Sequence, residues 1–108
     1  MEEVSKRTHL LKLYVTGTTV RSAHAISNAR RICDKYYADD YELEVIDLYQ
    51  HPAAAKEHQI IAVPTLVRIA PAPLRRIIGD LTDERRALDA LGIGNSTSTS
   101  TKGDGKND

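Results

Sequence analysis

The chain of 108 residues contains neither phenylalanine nor tryptophan; its only aromatic side chains are five tyrosines. Its core must therefore be aliphatic, built from Leu, Ile, Val and Ala. Each phenol needs a partner or water, which points several of the tyrosines to the rim or to a subunit contact. Cys33 is the sole cysteine, which excludes an internal disulfide framework and a cysteine-based zinc site, and fits a reducing compartment. Charge of one sign is also missing. Fifteen basic and fifteen acidic residues cancel, so no net field draws the chain to nucleic acid or to an anionic membrane surface. No stretch approaches the roughly 18 apolar residues of a membrane span, and the opening MEEVSKRTH has no apolar run behind its charges. These absences lead to the expectation of a cytoplasmic protein of one domain, long enough for a modest core.

What remains is strongly periodic. HLLKLYV, His9–Val15, is short, apolar and β-prone with one charge, Lys12, as in a largely buried strand. After the loop TGTT, apolar Ala25, Ile26, Ala29, Ile32, Cys33 and Tyr36 recur at three and four residues. That spacing predicts an amphipathic helix from about Val20 to Tyr37, with Arg21, Asn28, Arg31 and Lys35 mainly on its other side. Asp39 and Asp40 break the period, and YELEVIDL alternates as a second strand. Pro52 suits the first position of a short helix, PAAAKEH, because its missing N–H would be unpaired there. Pro64 opens a third strand, TLVRIA. Pro71 and Pro73 cannot donate to a central ladder, so PAP is a turn. LRRIIG gives a fourth strand, and Thr82 is the expected N-cap of a last helix, DERRALDAL, which Gly92 terminates. The order is β-α-β-α-β-β-α, in an α/β domain over residues 1–93. The remaining GNSTSTSTKGDGKND has no apolar residue, so residues 94–108 are expected to form a disordered Ser/Thr-rich tail.

A buried strand entered through Val63-Pro64-Thr65 is how thioredoxin-like domains set a proline beside a dithiol. The reactive sulfur would lie between the first strand and first helix, where the helix N-terminus lowers a thiol pKa. Here that loop reads Thr16-Gly17-Thr18-Thr19-Val20-Arg21-Ser22. Hydroxyls stand in place of sulfur. Cys33 falls far down the helix on its apolar face and reads as a small core residue. Ser22 and His24, two apart on a helix, do not face each other as nucleophile and base. None of His9, His24, His51 and His58 pairs at the i, i+4 spacing of helical metal ligands, and no Gly-rich phosphate loop occurs. No metal, cofactor or catalytic residue is predicted. The enzymatic alternative is a thiol- or glutathione-handling protein using the Val-Pro-Thr turn, and it needs a nucleophile that the sequence does not supply.

LKLYVTG, EVIDLYQHP, AVPTL and above all LRRIIGDL, in this order and without a dithiol, resemble the KaiB family of circadian clock proteins over residues 9–91. The resemblance implies a thioredoxin-like fold without CxxC and an alternative ground-state fold of the C-terminal half. The ground state forms homo-oligomers, dimers or tetramers; a rare thioredoxin-like monomer binds the first ATPase ring of KaiC. In cyanobacteria the complex sequesters KaiA, turns off KaiC autophosphorylation and displaces a sensor histidine kinase domain. The implied role is a non-catalytic clock or stress adaptor for a KaiC-like ATPase. Carried over residue by residue, Gly79 and Asp80 match the fold-balance pair, Pro64, Pro71 and Pro73 the family prolines, and Arg68, Arg75 and Arg76 basic partner-binding positions. His9 replaces a usual Tyr, His24 a basic residue, Ala72 interrupts the proline run, and the tail is not acidic. These departures point to a divergent or non-cyanobacterial member.

The residues are compatible with two folds, which must differ by only a few kcal/mol. Residues 60–81 are apolar enough for strand or helix, their X-Pro bonds can take either isomer, and Gly79 opens backbone conformations closed to other residues. The isolated protein is thus expected as a ground-state oligomer, departing from the β-α-β-α-β-β-α order after about Gln50. Gly79→Ala and Asp80→Arg are expected to shift it toward the thioredoxin-like monomer. A self-assembling structural protein without a partner is the remaining alternative.

Overall fold

The computed structural model describes residues 7–93, and the expected tail lies outside them. The elements are β1 (His9–Val15), α1 (Val20–Tyr37), β2 (Tyr41–Asp47), a 3-10 turn (Pro52–Lys56), β3 (Thr65–Ala70), β4 (Arg75–Ile78) and α2 (Glu84–Leu91). They form one four-stranded sheet in the order β2-β1-β3-β4. β1 pairs parallel with β2 and antiparallel with β3, and β4 returns antiparallel to β3. This is the thioredoxin-like arrangement throughout. The departure expected after Gln50 is not seen: β3 and β4 extend the sheet from the second edge of β1, and Leu81, Ala87 and Leu91 complete the core against α1.

Period-two alternation sorts the strands into two cores. Leu11, Leu13, Val15, Leu66 and Ile77 face Ala25, Ala29, Ile32 and Cys33 of α1. On the opposite face Tyr14, Ile46 and Val67 pack with Ala54, Ile60 and Val63 beneath the 3-10 turn. Tyr36, Tyr41 and Tyr49 stay partly or largely exposed, whereas Tyr14 is fully buried. Its hydroxyl is satisfied by donating to Glu57 Oε1 at 3.3 Å, and burial together with that carboxylate pushes its pKa up to about 12. Tyr37 is buried as well, stacked on the His9 ring at 3.8 Å.

Thr19 caps α1 by accepting from the Ser22 N–H. The cap of α2 is Asp83, not Thr82. Thr82 is already committed, since its hydroxyl and N–H both donate to Asp80 Oδ1, at 2.7 and 3.1 Å. Gly92 ends α2 in the left-handed region at φ 74°, with the Ile93 N–H reaching the Leu88 carbonyl, as in a Schellman cap.

Polar contacts hold α2 at both ends. At its C-terminus Arg68, only 7% exposed, donates to the Leu91 carbonyl at 2.7 Å and to the Pro73 carbonyl at 3.1 Å. At its N-terminus Glu84 accepts from Arg31, Lys35 and Tyr36 of α1. Those hydrogen bonds, the Tyr36 hydroxyl first, push the Glu84 pKa down to about 2.

Arg68→Met should lower the unfolding free energy by about 2 kcal/mol in urea titrations, because the buried Leu91 carbonyl and the partly buried one of Pro73 lose their donors. An unchanged midpoint would show that water replaces the guanidinium. For Glu84 the folded-state pKa lies below the ordinary 4.5, so its stabilisation is complete above that pH and is lost as pH falls through about 2. A Glu84→Gln variant should accordingly flatten stability against pH between about 4.5 and 2, measured by urea midpoints across that range.

Candidate functional site

The strand directions gather several loops at one edge of the sheet. Val15 at the end of β1 lies opposite Asp47 at the end of β2, Tyr14 opposite Thr65 at the start of β3, and Thr65 opposite Ile78 at the end of β4. The loops following β1 and β2, the entry to β3 and the exit from β4 therefore meet. Asp47 ties the first two together by accepting from the N–H groups of Gly17 and Tyr49, both at 2.9 Å. These bonds hold its carboxyl below its usual pKa. Gly17 is required there: its φ is 66°, and a Cβ would lie 3.2 Å from the Tyr49 ring. The Gly79 N–H donates to the Pro64 carbonyl at 2.8 Å and joins the other two segments. Val63-Pro64 is a cis peptide bond, as are Ala70-Pro71 and Ala72-Pro73.

At the position of a thioredoxin dithiol one hydroxyl, that of Ser22, is turned inward, while Thr18 and Thr19 are exposed. Ser22 is buried, accepts from the Thr19 hydroxyl and donates to the Thr16 carbonyl. His24 is exposed, so the two are not brought together. Cys33 is fully buried, and burial pushes its thiol up to about 12, the opposite of an activated thiolate. Among the described residues no group of histidines, cysteines and carboxylates could hold a metal ion.

The same edge instead exposes apolar side chains. Val20, Tyr49, Ile61 and Ile78 are 73%, 75%, 90% and 43% exposed. Beside Ile78, a cleft of about 340 Å³ is lined by Gly79, Asp80, Thr82, Arg21 and Arg86. The sequence reading missed this patch. Its one signal was apolar residues in loops, which periodicity does not assign to either core.

The residues singled out from the sequence separate into two groups. Pro64, Gly79 and Asp80 lie at this edge, whereas Pro71 and Pro73 lie at the far end of β3 and β4, with Arg68 and Arg75 opposite each other across the strands. Arg68 spends its donors inside the fold. Arg75 lies partly buried against Gly92, where a Cβ would be 3.3 Å from its guanidinium. Arg76 is exposed and donates to the His58 carbonyl at 2.8 Å. Gly79 has φ 122°, so a Cβ costs the thioredoxin-like arrangement about 1 kcal/mol. Gly79→Ala thus favours this arrangement only if the other one strains residue 79 more. Asp80 also works here: its carboxylate takes both Thr82 donors, and its carbonyl accepts from Asn28 at 2.9 Å.

Comparison with known proteins agrees with this geometry. The family model of the KaiB domain matches residues 12–93. The chain is 44% identical over 84 residues to the circadian clock protein KaiB3 of Synechocystis sp., covering 78% of this chain and 82% of that protein. It is 42% identical over 90 residues to the circadian clock oscillator protein KaiB of Prochlorococcus marinus subsp. pastoris, covering 83% and 84%. Among solved structures, the N-terminal domain of Synechococcus elongatus SasA aligns with TM-score 0.64 and 24% identity over 85% of this chain and 90% of that one. Mitochondrial thioredoxin 3 of Saccharomyces cerevisiae aligns with TM-score 0.63 and 18% identity over 82% of each. The structural likenesses establish a thioredoxin-like fold; the sequence matches, extending over nearly all of the described residues, establish that this chain belongs to the KaiB family.

Proposed function

We propose that this protein is a non-catalytic regulatory adaptor in the cytoplasm that docks on a KaiC-like ATPase ring and modulates its phosphorylation state. The observation that carries the proposal is the edge just described. Where a thioredoxin presents reactive sulfur, this chain has no sulfur, keeps Ser22 buried in hydrogen bonds and exposes Val20, Tyr49 and Ile61, a composition suited to holding a partner and not to exchanging a disulfide. Its relatives are named as clock proteins, which supports a regulatory role. The SasA domain shares the fold. That likeness supports a sensor histidine kinase as a competitor for the same ring, with KaiA as a further partner of the complex.

In this reading Arg76 contacts the partner directly, beside Ile78. Arg75 borders the same strand, and Arg68 acts through the carbonyls it holds. The C-terminal half has a second, ground-state arrangement, assembled as dimers or tetramers, and Pro64, Pro71, Pro73, Gly79 and Asp80 are where the two arrangements part. The thioredoxin-like form is the one that binds.

Mixed with a KaiC-like ring and ATP, the protein should co-elute in gel filtration, slowly and over hours; no co-elution after a day removes the proposal. Ile61→Asp should weaken that complex at least about tenfold, some 1.4 kcal/mol, because it places a charge in the apolar patch. Arg76→Glu should slow association. Cys33→Ser should leave binding unchanged, and native Cys33 should resist iodoacetamide until the protein is unfolded. Insulin-reducing activity abolished by Cys33→Ser would instead establish the thiol-handling alternative.

A further inference from the structure

We infer that Glu84 is a positioning residue: by clamping the start of α2 to α1, it latches the C-terminal half in the thioredoxin-like arrangement and sets the fraction of binding-competent protein. The inference rests on the proposal that a second arrangement exists.

The donors all come from one helix. Arg31 Nη1 reaches Glu84 Oε1 at 2.5 Å, while Tyr36 Oη and Lys35 Nζ share Oε2 at 2.8 and 3.3 Å. Asn28, one turn before Arg31, bonds both ways along this contact: its amide N–H donates to the Asp80 carbonyl, and its oxygen accepts from Arg31 Nη2 at 3.3 Å. α1 precedes the segment proposed to rearrange and Glu84 lies within it. The contact therefore exists only when residues 79–84 run where they run here. If they leave, Arg31 and Lys35, 49% and 60% exposed already, pass to water at little cost. The interaction thus distinguishes arrangements instead of stabilising both.

The link to α2 is also under backbone strain. Gly79 has φ 122°, and Leu81, a residue with a Cβ, has φ 67° while its side chain is buried in the main core. A left-handed conformation at a branched residue persists only where its surroundings over-determine it. The α1 contacts on either side of Leu81, Asn28 to Asp80 and the cluster on Glu84, supply that determination. The cleft by Gly79 is lined by residues of this same junction, Asp80, Leu81 and Thr82, together with Arg21 of α1 and Arg86 of α2.

The test compares Glu84→Gln and Arg31→Gln with Glu42→Gln, a control on the outer strand β2, using the isolated full chain. Two-dimensional amide NMR counts the two arrangements directly, sedimentation gives the monomer fraction, and urea titration gives overall stability. Both latch variants should lower the ratio of thioredoxin-like to alternative form about tenfold, and the Glu42→Gln control should not. If both variants shift the urea midpoint and leave the ratio unchanged, Glu84 is only a stabilising contact and the inference is wrong. A single arrangement in the unsubstituted protein and in every variant also overturns it. If Glu84→Gln fails to fold, Arg31→Gln decides, because it removes the shortest of the three contacts and leaves the carboxylate with two donors. No ATPase enters these measurements. Failure of ring binding with a shifted ratio would refute the adaptor function and leave the latch standing; intact ring binding with a constant ratio would do the reverse.

Discussion

A guanidinium inside the core governs the C-terminal half. Removing an arginine from water costs several kcal/mol unless its donors are met, and Arg68 is 7% exposed. Its two terminal nitrogens are met by the carbonyl at the end of α2 and by that of Pro73. The helix must therefore stop at Leu91, and the turn between β3 and β4 must close beneath it. Gly92 makes that stop possible by entering the left-handed region, and its missing Cβ leaves room for Arg75. Neutral carbonyls at a helix C-terminus carry partial negative charge, which explains how two cross-strand arginines sit together here with no carboxylate bonded to either among the described residues. Not every demand is met: among the described residues Arg68 Nε and Arg75 Nε are buried without hydrogen-bond partners, and the Tyr37 hydroxyl has the Arg68 guanidinium beside it outside good hydrogen-bond geometry. Burial pushes the Tyr37 phenol up, and the neighbouring Arg68 cation opposes that shift.

At the other end of the sheet the constraint is geometric. One parallel and two antiparallel pairings bring together segments far apart in sequence, and hydrogen bonds from backbone N–H groups fasten them. Asp47 holds two loops through N–H groups and Pro64 holds Gly79 through its carbonyl. In thioredoxin-like proteins this junction frames a thiol. Here the framing survives and the contents differ, because the hydroxyls of Thr19 and Ser22 are engaged in the helix cap. Apolar Tyr49 and Ile61 stand exposed outside that frame.

The polar side of α1 connects these two ends. Its pattern of Asn28, Arg31 and Lys35 is that of a solvated helix face, yet the face meets the junction leading into α2. A solvated face and a docking face have the same composition. What separates them is whether an acceptor such as Glu84 arrives from elsewhere in the chain.

Much of this was legible without coordinates. The bounds of β1, α1 and β3 follow from apolar period alone, and Gly92 announces its own cap, because local periodicity and backbone permissiveness are properties of short segments. The absence of a dithiol was equally plain. Other features depended on neighbours that periodicity cannot supply. Asp83 caps α2 because Asp80 captured Thr82. Tyr14 is buried because Glu57 meets its hydroxyl, and Arg68, basic and apparently partner-facing, is interior because Leu91 ends beside it. Sequence by itself determined the elements, their order and the missing chemistry, since each is encoded within a few residues. Only the tertiary structure decided which polar groups face inward and which loops meet at the edge with exposed apolar side chains, since burial of a charge and convergence of loops are set by contacts between residues distant in the chain.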